Sequence, residues 1–355
     1  MRQYTEVLFD EMKGEGGNLG LITLNRPEVL NSLNQPMIQA MHDQLKIWAA
    51  ADYIKAVVIR PADGRAFCAG GDLRSTYARR LEKDAALPRF FYDEYQLNRT
   101  IHHYPKPYIA FLDGITMGGG VGISIHGSHR VATDRLLFAM PETGIGFFPD
   151  VGGTYFLPRL KGQMGFYLGL TGARINADDC VAFGLTQQKA ARETLPEILH
   201  ALASRPFTEE NSRAIVSAIL DEFKVPIRPS TLFEQHAVID RVFAGTTMEE
   251  VMDALQYSTE EICEEALTIL AKKSPTSLKV TLRALHEGRE LDFDACMQQE
   301  FRLASRFLEG HDFFEGIRAI IIDKDQRPRW QPGTLAQVAD HQIEHYFSPL
   351  IHELV

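Results

Sequence analysis

The amino-acid sequence predicts an α/β fold with a helical C-terminal region, and three observations predict it. Near the N-terminus, apolar segments follow one another in the order strand, helix, strand. Two turns stripped of side chains, Gly70-Gly71 and Gly118–Gly120, each follow a strand-like run and precede a helix-like one. From about His200 onward, apolar residues recur at helical period.

The 355 residues suffice for one large domain or two ordinary ones with a sizeable core. A hydrophobic content of 45% and a charged content of 24% are those of an ordinary globular chain. The net charge of -10 excludes the basic stripe of a nucleic-acid binder, although a few local cations would still hold a small anionic ligand. No uncharged apolar run reaches the length of a membrane span, so no membrane partner is expected. The opening MRQYTEVLFDEMKGEGG has no apolar signal core and is too acidic for a transit peptide. Cys68, Cys180, Cys263 and Cys296 form no C-x-x-C pair, which argues against a zinc or disulfide framework. A cytoplasmic setting is expected.

In chain order, TEVLFDEM and LGLITL read as two strands joined across the glycine-rich KGEGGN. NRPEVLNSLN is an irregular link, and Pro36 suits the first turn of a helix. Met37, Met41, Leu45 and Trp48 give that helix its apolar period, and Ala56–Arg60 is a short buried strand, so a right-handed parallel crossover follows. Asp72, after Gly70-Gly71, suits a helix cap. Pro88–His103 reads as a further helix, on which Glu94 taken alone would be a solvated surface acid. The run Tyr108–Leu112 is a buried strand that stops at Asp113-Gly114, and GGGVGISI then opens a helix whose bare first turn presents N–H groups to anything negative. Beyond it lie short helices ending near Gly172 and Gly184. TEENSRAIVSAILDEF and TTMEEVMDALQ are helical, with Pro226 and Pro229 in a loop between them. Two longer helices are joined near Gly288.

Were the two glycine turns to meet, their amides would grip one oxygen from two sides, the arrangement that stabilises a carbonyl oxygen gaining charge. Glu142 and Asp150, on a glycine-rich segment just downstream, are the candidate base or nucleophile. Other signals fail. Ile123 stands where G-x-G-x-x-G needs its third glycine, and Ser124 lies outside a G-x-S-x-G elbow. His126 and His129 are too ordinarily spaced to argue for a metal, as are His102 and His103, and none is expected.

NRPEVLNSLN, AFCAGGDLR, KPYIAFLDGITMGGGVG and FAMPETGIGFFPDVGGTYFLPRL together resemble the crotonase (enoyl-CoA hydratase/isomerase) superfamily, and within it the branch that hydrolyses short 3-hydroxyacyl thioesters. The likeness runs from about Val7 to Trp330. It implies a crotonase-like spiral of ββα units with a helical C-terminal region, and acyl-coenzyme A as substrate with no further cofactor. The division implied is residues 1–200 as catalytic core and 201–355 as a helical region of the same enzyme, and the resemblance implies a homo-oligomer, a trimer or hexamer. By resemblance, the thioester oxygen sits between the amides of Gly71 and Gly119, with Gly70 and Gly118 beside them. Glu142 matches the catalytic glutamate, Asp150 the second acid of the hydrolase branch, and Glu94 a substrate-holding residue. Arg26 is a candidate for the coenzyme phosphates. Hydratases of the superfamily carry a first glutamate at the position of Gly122, which has no side chain. That departure favours hydrolysis over the alternatives, a hydratase or isomerase and a noncatalytic acyl-CoA binder.

Overall fold

A computed structural model describes residues 5–206, 211–228 and 230–354. Pro229 of the expected loop and Thr208–Glu210 of the expected helix lie outside the described residues. The described strands, in chain order, are β1 (Val7–Met12), β2 (Asn18–Leu24), β3 (Ile54–Pro61), β4 (Ala66–Cys68), β5 (Tyr108–Leu112), β6 (Ile115–Met117), β7 (His129–Ala132), β8 (Leu137–Ala139), β9 (Ile175–Asn176) and β10 (Gln188–Lys189). Contacts divide the chain into two units that interleave along the sequence. One comprises Met1–Gly71, Gln96–Phe138 and Ile175–Ser230; the other comprises Asp72–Tyr95, Ala139–Arg174 and Thr231–Val355.

The first unit is built on a six-stranded sheet of order β1-β2-β3-β5-β7-β10. All its neighbouring pairs are parallel except β1–β2, the two strands expected on either side of KGEGGN, which pair antiparallel. Strands covered on both faces read as continuous apolar runs, and every residue of β5 is buried. On one face Leu19, Leu21, Val58, Ile109 and Phe111 pack with Ile198, Leu202, Val216 and Ile219 of the helices Leu195–Ser204 and Ser212–Asp221. Each such side chain removed from water contributes about 1.5–3 kcal/mol. The helix Gln35–Ala50 is capped by Asn34, whose side chain accepts from Met37 N at 3.0 Å. It brings Trp48 onto Gly20, where an added Cβ would fall 2.7 Å from the indole.

A second, four-stranded sheet has the order β4-β6-β8-β9, with β4 parallel to β6. The chain therefore repeats one step: a strand of the large sheet, a strand of the small sheet, then a helix. β3, β4 and the helix Leu73–Leu81 form one step, and β5, β6 and the helix Gly119–Ile125 form the next. A third runs through β7 and β8 and ends in the 3-10 turn Glu142–Ile145. This is the spiral of ββα steps, and Gly70-Gly71, Gly118-Gly119 and Glu142 occupy corresponding places in it, just past a strand of the small sheet.

In the second unit, Asp72 caps the helix Leu73–Leu81 as expected, accepting from Ser75 N at 3.2 Å. The helices Pro275–Gly288 and Phe293–Glu309 are the predicted long pair. Phe91, Phe147, Phe307 and Phe313 form an aromatic core with ring centroids 4.5–5.6 Å apart along the Phe91–Phe147, Phe147–Phe307 and Phe147–Phe313 contacts.

Candidate active site

The two glycine turns meet because β4 and β6 are parallel neighbours and both turns sit at their carboxyl ends. A Cβ built on Gly70 would lie 3.4 Å from Met117 O and 3.7 Å from Gly119 N. Gly70 holds φ +112° and Gly118 φ 49° with ψ −123°, conformations that glycine alone takes without strain. Gly119 opens its helix, so its amide is one of the N–H groups a helix leaves unpaired. Among the described residues neither the Gly71 nor the Gly119 amide has an acceptor, whereas those of Val121 and Gly122 return to Gly118 O.

The link NRPEVLNSLN braces this cradle. Leu33 N donates to Gly70 O at 2.8 Å, Ala69 N to Leu30 O at 3.0 Å, and Asn31 Nδ2 to Ala66 O at 3.0 Å. Arg26, the candidate phosphate ligand, instead donates to Ser32 O at 2.7 Å and pairs with Glu6 at 2.9 Å, which makes it a brace of the same link.

The acids form a cluster in the second unit. Glu142 begins its 3-10 turn after Pro141 and is 6% exposed, with Oε2 lacking a hydrogen-bond partner among the described residues. Burial, then the charge of Asp150, raises it well above the ordinary glutamate range, while Lys273 draws it back. Lys273 Nζ lies 3.1 Å from where a Gly144 Cβ would be, against the same turn, and burial lowers it to about 8 despite Glu142. Asp150 is buried, accepts from Tyr95 OH at 2.7 Å, and is pushed by burial to about 7 although that hydrogen bond favours its charge. Glu94 is 3% exposed, with Oε1 unpartnered among the described residues, and burial followed by the Asp150 charge raises it strongly. It is no surface acid, contrary to what the helical context alone suggested: the helix Leu87–His102 turns this face inward together with Phe91 and Tyr95. Burial and mutual proximity thus raise the carboxyls of this cluster above their ordinary range.

Three residues of the cluster escaped sequence reasoning. Tyr95 and Lys273 carry no local signal. Glu300 does, because it falls on the apolar stripe Phe293, Cys296, Met297, Phe301, Ala304 and Phe307, where a charge demands partners. It is fully buried and accepts from Gly152 N at 2.7 Å, Thr154 N at 2.9 Å and Thr154 Oγ1 at 2.6 Å. Burial carries it to about 8 against those three donors.

The discarded candidates have structural roles. Ser124 Oγ donates to the carbonyls of Gly120 and Val121 within its own helix. His129 bonds Ser128 and Ser217, and burial lowers it to about 4, so it is neutral. Among the described residues no group of three His, Cys, Asp or Glu is placed to hold a metal, and no helix is long and apolar enough to cross a membrane. The four cysteines are buried, and among the described residues none forms a disulfide.

The profile of the enoyl-CoA hydratase/isomerase family matches residues 19–347. A human protein named 3-hydroxyisobutyryl-CoA hydrolase, mitochondrial, is 41% identical over 352 residues, covering 99% of this chain and 91% of its own. The mouse protein of that name is 43% identical and covers 97% and 89%. Among solved structures, a carnitinyl-CoA dehydratase from Mycobacterium thermoresistibile superposes with a TM-score of 0.89 at 37% identity, covering 99% of each chain. An enoyl-CoA hydratase from Rhodobacter sphaeroides 2.4.1 gives 0.84 at 34%, covering 97% of this chain and 98% of that one.

Proposed function

The chain belongs to the enoyl-CoA hydratase/isomerase (crotonase) family, and from that premise we propose that it hydrolyses the thioester of 3-hydroxyisobutyryl-CoA or a close 3-hydroxyacyl-CoA. The observation that carries this reading is the pairing of buried Glu142 and Asp150 in a chain whose Gly122 replaces the first acid of a hydratase. Adding water across a double bond needs two positioned acid/base groups at the reacting carbons, whereas a thioester, with thiolate as leaving group, needs one carboxylate and an oxyanion site. The names of the animal relatives favour hydrolysis and those of the solved structures favour hydration. Glycine at position 122 decides for hydrolysis.

In this mechanism ionised Glu142 attacks the thioester carbonyl carbon. The C–S bond breaks with its electron pair leaving on sulfur, and water cleaves the resulting anhydride to restore Glu142. Alternatively Glu142 takes a proton from the water that attacks. In either route the carbonyl oxygen becomes negative and is held by the amides of Gly71 and Gly119, each such donor contributing ~3 kcal/mol. Asp150, steadied by Tyr95, holds the 3-hydroxyl and assists proton transfer, with Glu94 in support. The coenzyme A carried by the substrate is the sole cofactor this chemistry needs. A cytoplasmic setting belongs to the same reading, on the four unbridged cysteines.

The deciding experiment presents a panel of acyl-CoA esters and follows free thiol and enoyl absorbance together. Thiol release fastest with 3-hydroxyisobutyryl-CoA is expected. Loss of enoyl absorbance without thiol release would mean a hydratase, and tight binding without either would mean a noncatalytic binder.

A pH profile probes Lys273. Glu142 must be ionised to act, so kcat/KM should rise with pH through its elevated pKa. Lys273→Met removes the cation that lowers that pKa, and the acidic limb should move to more alkaline pH. An unmoved limb would show that Lys273 does not act on Glu142.

A further inference from the structure

Asp150 sits at the start of a turn that the backbone would not adopt unaided. Val151 has φ +52° and Gly152 φ +85°, two consecutive left-handed residues, and the first is β-branched and buried. A β-branched residue keeps positive φ only where its surroundings hold it there. Gly153 N closes the turn onto Asp150 O at 2.8 Å, and the short helix Gly153–Phe156 follows.

The turn's holding partner is distant in sequence. Glu300 accepts Gly152 N–H on Oε2, and Thr154 N–H and Thr154 O–H on Oε1. It projects from the middle of the helix Phe293–Glu309, where Phe301 packs edge-on against Tyr95 with centroids 6.5 Å apart. One helix therefore bears both on the turn that carries Asp150 and on the ring whose hydroxyl is bonded to Asp150.

We propose that Glu300 is a positioning residue: it clamps the strained Val151–Gly152 turn and so keeps the Asp150 carboxyl on the Tyr95 hydroxyl. Without it, three buried donors lose their acceptor, Val151 relaxes toward negative φ, and Asp150 turns away from Tyr95. This inference rests on the reading of Asp150 as a substrate-handling acid, so both residues are tested together.

Glu300→Gln keeps the shape and the two bonds on Oε1, but sets an amide NH2 against Gly152 N–H. With 3-hydroxyisobutyryl-CoA as substrate, kcat should fall roughly 10- to 100-fold while KM changes little. Combining it with Asp150→Asn should cost no more than Asp150→Asn alone, because both changes remove the same placed carboxylate. Val151→Gly accepts positive φ without strain, so adding it to Glu300→Gln should recover much of the lost kcat. A general loss of packing would not be recovered this way. The Val151→Gly background also supplies the comparison should Glu300→Gln alone fold poorly. Wild-type kcat in Glu300→Gln beside an impaired Asp150→Asn overturns the clamp alone, as do losses that multiply in the double variant or absence of rescue by Val151→Gly. Full activity in Asp150→Asn overturns the reading of Asp150, and the clamp with it.

Discussion

Glu142→Gln is expected to reduce thiol release by ~10³-fold or more while leaving the protein folded. An amide can neither form the anhydride nor take a proton from water, and the substitution is nearly isosteric at a site that is 6% exposed. Stability should not suffer, and the sign follows from the protonation of the two states. The folded-state pKa of Glu142 lies well above 4.5, its value when exposed, so between those two values the native protein binds more protons than the unfolded chain. Stability then falls as pH rises through that window, and above it the full cost of the buried charge is present. Glutamine carries no such cost. The variant should match the wild-type melting temperature near pH 4 and equal or exceed it near pH 8, a trade of stability for function common at catalytic carboxyls. Near-normal turnover in the variant would remove Glu142 from the mechanism.

Gly120→Ala should do the most damage to the other half of the chemistry. Its Cβ would fall 2.2 Å from Cys68 O and 2.8 Å from Cys68 Cβ, and the first of these is backbone of β4, hydrogen-bonded into its sheet and unable to step aside cheaply. Relief requires the helix Gly119–Ile125 and the end of β4 to separate. Such overpacking costs about 3 kcal/mol, and for a chain of this length the melting temperature should fall by roughly 4 °C. The same separation pulls Gly119 away from Gly70-Gly71, so turnover should be lost even below the new melting point. A variant with wild-type melting and turnover would show that this contact does not set the cradle.

The contrast between these two sites shows what can be read from residues in order. Both glycine turns were legible as turns, because a bare pair after an apolar run has few other uses, and Asp72 was legible as a cap for the same local reason. Glu142 and Asp150 stood out as carboxylates on a segment otherwise given to glycine and proline. Glu94 did not stand out: on its helix it looks like any solvated acid, and only the resemblance to a known family singled it out. Tyr95 and Lys273 were invisible, since nothing within a few residues of either announces a partner. Glu300 left a trace, a charge on an apolar stripe, but the stripe could not name the amides it would meet 146 and 148 positions away.

By itself, then, the sequence determined the order of strands and helices, the caps, and the positions where a side chain had to be absent, because these depend on apolar period and on backbone freedom within a few residues. Tertiary structure alone decided that β4 and β6 lie side by side and press Gly70 against Gly119. It also decided that Glu142, Asp150, Glu94 and Glu300 share one buried cluster. The reason is physical: burial and proximity to like charge are what raise a carboxyl's pKa, and both are properties of neighbours in space, which folding brings together from across the chain.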